Sequence, residues 1–221
     1  MGKRFIIGNI HGDYEKLNRL IDKLAKQFHP DEDKFIFLGD YVSYGSDSYK
    51  VIDFLIGLKQ NAPTVFLLGD HDHDFLEFIN DPRGKLNYLF DKGGEATVKS
   101  YEREFGDFEV PESHYHFLQH LELTCEENDF FCVHAGLNPH SKNIRQQKIE
   151  DLINIGKEFY DFDKVWKKLI IFGHTPVDEL HDERGVPYFD RRRHILGLHT
   201  NWGDVKRLTC YEPLHQKFYQ V

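Results

Sequence analysis

Short apolar runs, each ending in glycine or a polar residue, punctuate the chain. Each run is too short for a helix and is bounded by turn-forming residues, so each predicts a buried strand. The five clearest runs cover residues 5–7, 35–38, 65–68, 130–133 and 169–172. Three further runs near the end of the sequence predict short antiparallel strands at 195–198, 206–211 and 217–221.

Helical spacing of apolar residues separates the first strands. Residues 14–28 carry apolar side chains at 14, 17, 20, 21, 24 and 28, which line one face of a helix. Residues 47–58 follow the second strand with a similar pattern, and Asp47 or Ser46 is the predicted N-cap. The order β-α-β-α-β predicts a parallel sheet with crossover helices. Helices are also predicted at 95–105, 111–120 and 148–160, and residues 1–221 are predicted to form a single α/β domain.

Composition and charge narrow the class of protein. The chain has 221 residues, of which 40% are hydrophobic, enough for a buried core. The net charge of −9 and the lack of a basic run argue against nucleic acid or an acidic membrane as a partner. No apolar run has membrane-spanning length, and the three cysteines predict reduced thiols in a cytoplasmic protein. Phosphorylated substrates stay possible, because a bound metal can reverse the local field.

Polar side chains with ligand chemistry follow all five predicted strands. In open α/β sheets, functional groups gather beyond the carboxyl ends of the strands. A single Gly-Asp or histidine after a strand is ordinary, but five such groups after five strands predict a common site. Oxygen and imidazole ligands together suit Mn, Fe, Zn or Ni. The residues in question are Asn9, His11, Asp40, Asp70, His71, His134 and His174.

The order of these motifs resembles a known family. The sequence reads GNIHG, GDYVSYG, GDHD, HAG and GHT. It resembles the phosphoprotein phosphatase family of binuclear metallophosphoesterases, which usually shows GDxHG, GDxVDRG, GNHE, HA and GH in that order. That family includes protein Ser/Thr phosphatases and symmetrical dinucleoside-tetraphosphatases. The resemblance implies a β-sandwich of two mixed sheets flanked by helices, in αββα layers.

The resemblance also implies roles for individual residues. His11 and Asp40 would bind a first metal, with Asp40 bridging to a second metal that His134 and His174 complete. His71 would protonate the leaving oxygen or steer the attacking group, a water that bridges the metals. The implied cofactors are two divalent ions, expected to be Mn, with Fe, Zn or Ni as alternatives.

Two departures from the family motifs oppose each other. Asn9 stands where the family has Asp, and Asp70 stands where the family has Asn. Together with Asp40, the site therefore keeps two carboxylates and one amide in total. Because an eroding site would lose ligands without compensation, this exchange favours a retained metal centre that still uses Asn9 and Asp70.

Other departures remove groups that the family uses to grip phosphate. Ser43 stands where the family has the Asp that pairs with the catalytic histidine. Tyr44 stands where the family has an Arg that binds phosphate. Gly156 occupies the place of a second Arg, and His199 replaces the Asp of an IDTG-like stretch. Ser43 could still hold the second ring nitrogen of His71. No phosphate-binding residue is predicted, although compensation could come from a group of charged residues, namely Asp72, His73, Arg145, Lys157 and arginines 191–193.

The function expected first is hydrolysis of phosphomonoesters, as in Ser/Thr protein phosphatases, on a phosphorylated protein or a small phosphoester. A second hypothesis is hydrolysis of a dinucleoside polyphosphate or another nucleotide. A third is a metal-binding interaction module with weak or no catalysis, because the phosphate clamp is lost. The sequence predicts no oligomeric state.

Overall fold

The computed structural model describes residues 2–221, and ten strands in them form two five-stranded sheets. The strands are β1 Arg4–Ile7, β2 Lys34–Phe37, β3 Thr64–Phe66, β4 Thr124–Glu126, β5 Phe130–Val133, β6 Leu169–Phe172, β7 Tyr188–Asp190, β8 Ile195–Gly197, β9 Thr209–Glu212 and β10 Lys217–Gln220. The first sheet has the order β10-β9-β1-β2-β3 and the second has the order β4-β5-β6-β8-β7.

Both sheets mix parallel and antiparallel strands. In the first sheet β1, β2 and β3 are parallel, as the β-α-β-α-β pattern predicts, and β9 and β10 are antiparallel. In the second sheet β5, β6 and β8 are parallel, with β4 and β7 antiparallel at the two edges. The predicted α/β class with mixed sheets is therefore confirmed.

Eight α-helices connect the strands within residues 2–221. They are α1 Tyr14–Ala25, α2 Ser48–Asn61, α3 Asp70–Asn80, α4 Asn87–Asp91, α5 Gly94–Phe105, α6 Glu112–Gln119, α7 Ile149–Asn154 and α8 Lys157–Tyr160. α1 shows why the sequence specifies a helix. Asp13 caps it by accepting a hydrogen bond from the Lys16 amide, and its apolar stripe, including Leu17 and Leu20, is buried.

Three apolar clusters define four layers. The cluster between the sheets includes Ile6 and Ile36 from the first sheet and Ile171 and Leu196 from the second. A second cluster packs α1, α2, α3, α5 and α6 on the outer face of the first sheet. A third packs α7 and α8 on the second sheet. This αββα arrangement places the carboxyl ends of β1, β2, β5 and β6 along one edge of the molecule.

Several elements differ from the sequence prediction. The helix predicted at 148–160 is two short helices, because Ile155 adopts an extended conformation and buries its side chain. Helix α3 was not predicted, since its first turn is polar and its apolar residues begin only at Phe75. The edge strands β4 and β7 have three residues each, too few to show an alternating pattern.

Within residues 2–221, no helix combines the length and apolar character needed to cross a bilayer.

Candidate metal centre

The loops at one edge of the two sheets bring the seven predicted site residues together. Asn9 and His11 follow β1, Asp40 follows β2, and Asp70 opens α3 after β3. The remaining predicted residues are His71 in the first turn of α3, His134 after β5 and His174 after β6. All are buried except His174, which is partly exposed. The structure thus places them in one region rather than several.

Backbone conformation at this edge is unusual. Seven non-glycine residues in the described chain have positive φ, and five of them lie at the site: His11, Asp40, Ser43, Tyr44 and His174. Such left-handed conformations cost about 1–3 kcal/mol each and persist where the surrounding structure enforces them. Their concentration here indicates that the fold turns these loops sharply at the expense of local strain.

Asp70, His134 and His174 form the first of two compact groups of candidate ligands. Asp70 Oδ1 lies 3.2 Å from His134 Nε2 and 2.9 Å from His174 Nδ1. His134 Nδ1 lies 2.6 Å from the Leu38 carbonyl, which can only accept, so Nδ1 carries the proton. In the neutral ring, Nε2 then carries a lone pair, which faces the carboxylate oxygen Oδ1 of Asp70. Two acceptors at this distance need a proton or a cation between them, so this group fits a divalent metal.

His11, Asp40 and His71 form the second group. His11 Nδ1 lies 3.3 Å from the Val42 carbonyl, and its Nε2 lies 3.6 Å from Asp40 Oδ2. Within residues 2–221, this buried Nε2 has no hydrogen-bond partner. Burial, followed by the charges of His199 and His71, lowers the pKa of His11 well below its ordinary value. A neutral imidazole with a buried free lone pair fits a metal ligand.

The carboxylates of the site repel one another. Burial, Asp70 and Asp72, in that order, raise the pKa of Asp40 well above its ordinary value. Asp72 accepts hydrogen bonds from the backbone amides of Gly69, Asp40 and Tyr41 at 2.7–3.1 Å, and burial raises its pKa to about 6. Asp72 therefore holds the loops rather than substrate. Bound cations would relieve this repulsion.

Asn9 ties the two sheets together at the site. Its Nδ2 donates to Asp40 Oδ2 at 2.7 Å, and its Oδ1 accepts from the His174 amide at 3.2 Å. Gly173 allows this approach, because a Cβ at that position would lie 2.3 Å from Asn9 Oδ1. The amide of Asn9 is thus already engaged with two neighbours of the predicted centre.

Lys92 is a site residue that the sequence prediction missed. Its Nζ donates to Asp70 Oδ2 at 2.9 Å and lies 3.6 Å from Asp74 Oδ2. The charge that Asp70 adds, relative to the Asn of the family motif, is therefore balanced inside the protein. The sequence feature that could have pointed to Lys92 is the Gly-Gly pair that directly follows it, since glycines permit a close approach of the backbone to other groups. Gly93 at φ 66° admits the Tyr44 ring, which brings this loop to the site.

The other expected compensating groups lie elsewhere. Arg145 pairs with Glu126, and Arg193 pairs with Asp190. Neither these arginines nor His73 and Lys157 are among the residues that line the cavity over the centre, as far as residues 2–221 are concerned. The predicted compensation by these residues is therefore wrong, and Lys92 is the cation at the site.

His71 also lacks the partner expected for it. Ser43 Oγ lies 3.4 Å from the Tyr88 hydroxyl, and His71 Nδ1 has no hydrogen-bond partner in the described chain, so the predicted Ser43–His71 contact is wrong. The His71 ring packs edge-on against His11 and Tyr44, with centroids 5.1 Å apart in both cases. Burial lowers its pKa to about 4, so the ring is neutral at pH 7.

Two adjoining cavities open over the site. One of about 430 Å³ is lined by the candidate ligands His11, Asp40, Asp70 and His174, together with Lys92. The other, of about 630 Å³, has Asp13, Glu15, Asp47, Asp204 and Lys206 on its wall. The residues that line both cavities are His11, Tyr44 and Trp202.

Comparison with known proteins identifies the family of the chain. The family model of calcineurin-like phosphoesterases matches residues 3–208. The chain therefore belongs to the calcineurin-like phosphoesterase family, a family of metal-dependent hydrolases, which confirms the metallophosphoesterase prediction.

Particular relatives are similar over most of the chain. The asymmetrical bis(5'-nucleosyl)-tetraphosphatase PrpE of Oceanobacillus iheyensis is 24% identical over 98% of this chain and 90% of its own length. The symmetrical bis(5'-nucleosyl)-tetraphosphatase of Aeromonas hydrophila is 32% identical over 88% of this chain and 64% of its own length. The crystal structure of a putative diadenosine tetraphosphatase shares the fold, with a TM-score of 0.72, 20% identity and coverage of 100% of this chain and 93% of that one.

Serine/threonine phosphatases are also similar, over a smaller share of their length. The serine/threonine-protein phosphatase C23G10.1 of Caenorhabditis elegans is 28% identical over 72% of this chain, which spans 31% of that protein.

Proposed function

We propose that the protein is a divalent-metal-dependent hydrolase of nucleotide phosphoanhydrides, with dinucleoside polyphosphates as the substrate class. The observation that carries this proposal is the pair of adjoining cavities that share Tyr44 and Trp202. The two rings meet edge to face with centroids 4.8 Å apart, and Tyr44 is 42% exposed. An accessible aromatic wall beside a metal centre suits a nucleobase next to a phosphate chain, since base–aromatic stacking contributes about 1–3 kcal/mol.

The position of the candidate metal ligands divides the two cavities between the two parts of such a substrate. Both walls carry four carboxylates and one lysine, which is Lys206 in the larger cavity and Lys92 in the smaller one, so the candidate metal ligands make the difference. The smaller cavity has Lys92 and the candidate ligands. A polyphosphate therefore belongs over the metal centre, and an uncharged nucleoside belongs in the larger cavity.

The residues at the family's arginine positions support the same choice. An Arg pair suits a terminal phosphomonoester dianion, because its forks bind such an oxyanion in a bidentate manner. Here Tyr44 and Gly156 line the cavity at these positions. The likeness to bis(5'-nucleosyl)-tetraphosphatases in two bacteria adds support from relatives.

The chain's own residues have distinct tasks in this proposal. Asn9, His11, Asp40, Asp70, His134 and His174 would hold or orient two divalent cations, which would polarise phosphoryl oxygens and lower the pKa of water at the site. Lys92 offers a positive charge to a phosphate oxygen. His71, neutral at pH 7, orients water or the leaving oxygen through hydrogen bonds, which favours the second of the two roles that the sequence implied for it.

Phosphomonoester hydrolysis is the competing function, supported by the similarity to serine/threonine phosphatases. A substrate panel separates the candidates. The full chain is stripped with chelator, reloaded with Mn, Ni, Fe(II) or Mg, and assayed on diadenosine tetraphosphate, a phosphoserine peptide and p-nitrophenyl phosphate. We expect the highest kcat/KM on diadenosine tetraphosphate. Highest turnover of the phosphopeptide would establish the competing function, and bound metal without any turnover would leave a non-catalytic metal protein.

A substitution on the aromatic wall tests the substrate assignment itself. Trp202→Ala should raise KM for diadenosine tetraphosphate about 5- to 150-fold, the equivalent of about 1–3 kcal/mol of stacking. It should leave kcat/KM for p-nitrophenyl phosphate within about twofold. Phe162→Ala is the matched control, because Phe162 is an exposed aromatic residue outside both cavities. Equal losses on both substrates would contradict a nucleoside site at Trp202.

A further inference from the structure

His199 has a buried ring nitrogen that the proposed function leaves unused. The residue follows β8, is 3% exposed and lines the cavity over the metal centre. Its Nδ1 lies 2.7 Å from the carbonyl oxygen of His174. Because a carbonyl can only accept, Nδ1 carries the proton and Nε2 keeps its lone pair. No other group of the described chain hydrogen-bonds to this Nε2.

The same arrangement occurs at two predicted metal ligands. His11 and His134 also place Nδ1 against a backbone carbonyl, at 3.3 and 2.6 Å, and face the centre with Nε2. A backbone acceptor at one ring nitrogen is the usual device that fixes the tautomer and orientation of a ligating histidine. The ring of His199 lies 5.1 Å from that of His11, centroid to centroid.

The group around His11 is short of one ligand by comparison with the family motif. The motif places a carboxylate at position 9, but Asn9 has no charge and its amide is already bonded to Asp40 and the His174 backbone. His199 in turn stands where the family has Asp. The chain thus loses a carboxylate on one side of the group and gains an imidazole on another.

We propose that His199 Nε2 is an additional ligand of the cation held by His11 and Asp40, in place of the carboxylate that Asn9 lacks. This donor set contains two imidazoles and one carboxylate. Imidazole suits Zn, Fe and Ni, whereas an all-oxygen environment suits Mg. The protein should therefore prefer the former ions over Mg²⁺ more strongly than a site with Asp at positions 9 and 199 would.

Two substitutions separate a ligand from a residue that only supports His174. In His199→Asn, the side-chain amide can replace Nδ1 as the donor to the His174 carbonyl. The variant has no atom in the place of Nε2. If Nε2 binds metal, calorimetric titration of this variant should show an affinity for one Ni²⁺ that is at least about tenfold weaker. Substitution of residues that merely support a metal ligand already lowers metal affinity about 10–100-fold. Retained affinity in a folded His199→Asn protein would overturn the proposal.

The Co²⁺-loaded full chain provides a readout independent of activity. Each ligating histidine contributes one exchangeable, paramagnetically shifted N–H proton signal in the NMR spectrum. His199→Asn should lack one signal present in the unsubstituted protein. His114→Asn is the matched control, because His114 is 1% exposed but contacts Tyr101 outside the site, and it should retain every shifted signal. An unchanged set of signals in His199→Asn would also overturn the proposal.

The unsubstituted protein gives an answer if the variant does not fold. With ¹⁵N-labelled histidine, Zn²⁺ should move the His199 Nε2 resonance from that of a free imidazole nitrogen to that of a metal-bound one. A resonance that stays unshifted at saturation would contradict the proposal. The inference rests on the metal centre and not on the substrate. The binding experiments can therefore contradict the role of His199 while the substrate panel supports the proposed function. The panel can likewise contradict the proposed function while the binding experiments support the role of His199.

Discussion

The two groups of candidate ligands differ in how far the protein already satisfies them. Around Asp70, both carboxylate oxygens have partners, with His174 on one side and Lys92 on the other. Around His11, the ring nitrogens that face the cavity have none within residues 2–221. In the first group Lys92 balances the charge of Asp70, and the lone pair of His134 Nε2 faces Asp70 Oδ1. In the second group the buried lone pair of His11 Nε2 has no hydrogen-bond partner within residues 2–221.

This difference identifies which group gains more from a bound cation. An unsatisfied buried polar atom costs about 1–3 kcal/mol, and a cation at His11 removes that cost. At Asp70 a cation must instead compete with existing contacts. Relative to the family motif, the exchange of Asn9 and Asp70 removes a carboxylate at position 9 and adds one at position 70. The added carboxylate is neutralised by Lys92, so the exchange does not simply move a negative charge from one group to the other.

The largest expected effect comes from His71, which belongs to the second group and lies 4.0 Å from Asp70 of the first, Nε2 to Oδ2. His71→Asn should lower kcat on the best substrate of the panel at least about a hundredfold, because a misplacement of the reacting atoms by about 1 Å can cost that much. Metal content, measured by elemental analysis, should stay unchanged. His73→Asn, in the same helix but half exposed, is the control. Unchanged turnover in His71→Asn would remove this residue from the reaction.

The unsatisfied group should also make metal-free stability depend on pH. Burial lowers the pKa of His199 to about 3, below the ordinary value of 6.5, so the folded protein resists protonation that the unfolded chain accepts. Its contribution is present above pH 6.5 and is lost as the pH falls towards 3. Relative to His199→Asn, the unsubstituted protein should lose up to about 2 kcal/mol of unfolding free energy between pH 6.5 and 5.

Urea unfolding of both metal-free proteins at several pH values measures this difference. The buried carboxyl groups with raised pKa, Asp40 and Asp72, act in the opposite direction but occur in both proteins, so their effect cancels. Parallel stability curves would show that His199 is protonated equally in the folded and unfolded states.

A substitution of Lys92 tests the group around Asp70, whose charge this lysine balances. Lys92→Gln removes the charge that balances Asp70, so the affinity for one divalent cation should rise severalfold, up to about tenfold. Inhibition by inorganic phosphate should weaken by a similar factor, because Lys92 also faces the substrate. Lys85→Gln, which breaks a surface pair with Glu77, is the control and should change neither quantity. Weaker metal binding in Lys92→Gln would contradict the charge balance assigned to this residue.

The smallest effect expected is the coupling between the two exchanged positions. Asn9→Asp should tighten Mn binding, and Asp70→Asn should weaken it. Because both act on one charged cluster, the double variant should depart from the sum of the single effects by at least about 0.5 kcal/mol, towards recovery. Strictly additive effects in calorimetric titration would mean that Asn9 and Asp70 are independent changes.

Strand ends and motif order carried most of the predictable information. The apolar runs placed β1, β2, β5 and β6 correctly because buried strands of this fold are continuous hydrophobic segments. Their following residues converge because parallel strands end at a common edge. The family motifs then added what periodicity does not contain, the pairing of two sheets into one sandwich.

The residues that the sequence prediction missed act through contacts across the fold. Lys92 reaches Asp70 because Gly93 admits the Tyr44 ring, a packing relation without any periodic signature. The proposed role of His199 depends on a hydrogen bond to the carbonyl of His174, 25 residues earlier. Helix α3 was hidden because its first turn consists of the site residues themselves, whose polarity masks the helical pattern.

Anomalous diffraction from crystals grown with Mn²⁺ tests the central claim most directly, that these loops form a centre for divalent cations. Data collected on both sides of the Mn absorption edge should show two peaks per chain. One should lie among Asp70, His134 and His174, and the other beside His11 and Asp40. Peaks absent from these residues at saturating Mn²⁺, or found only at surface carboxylates, would contradict the account.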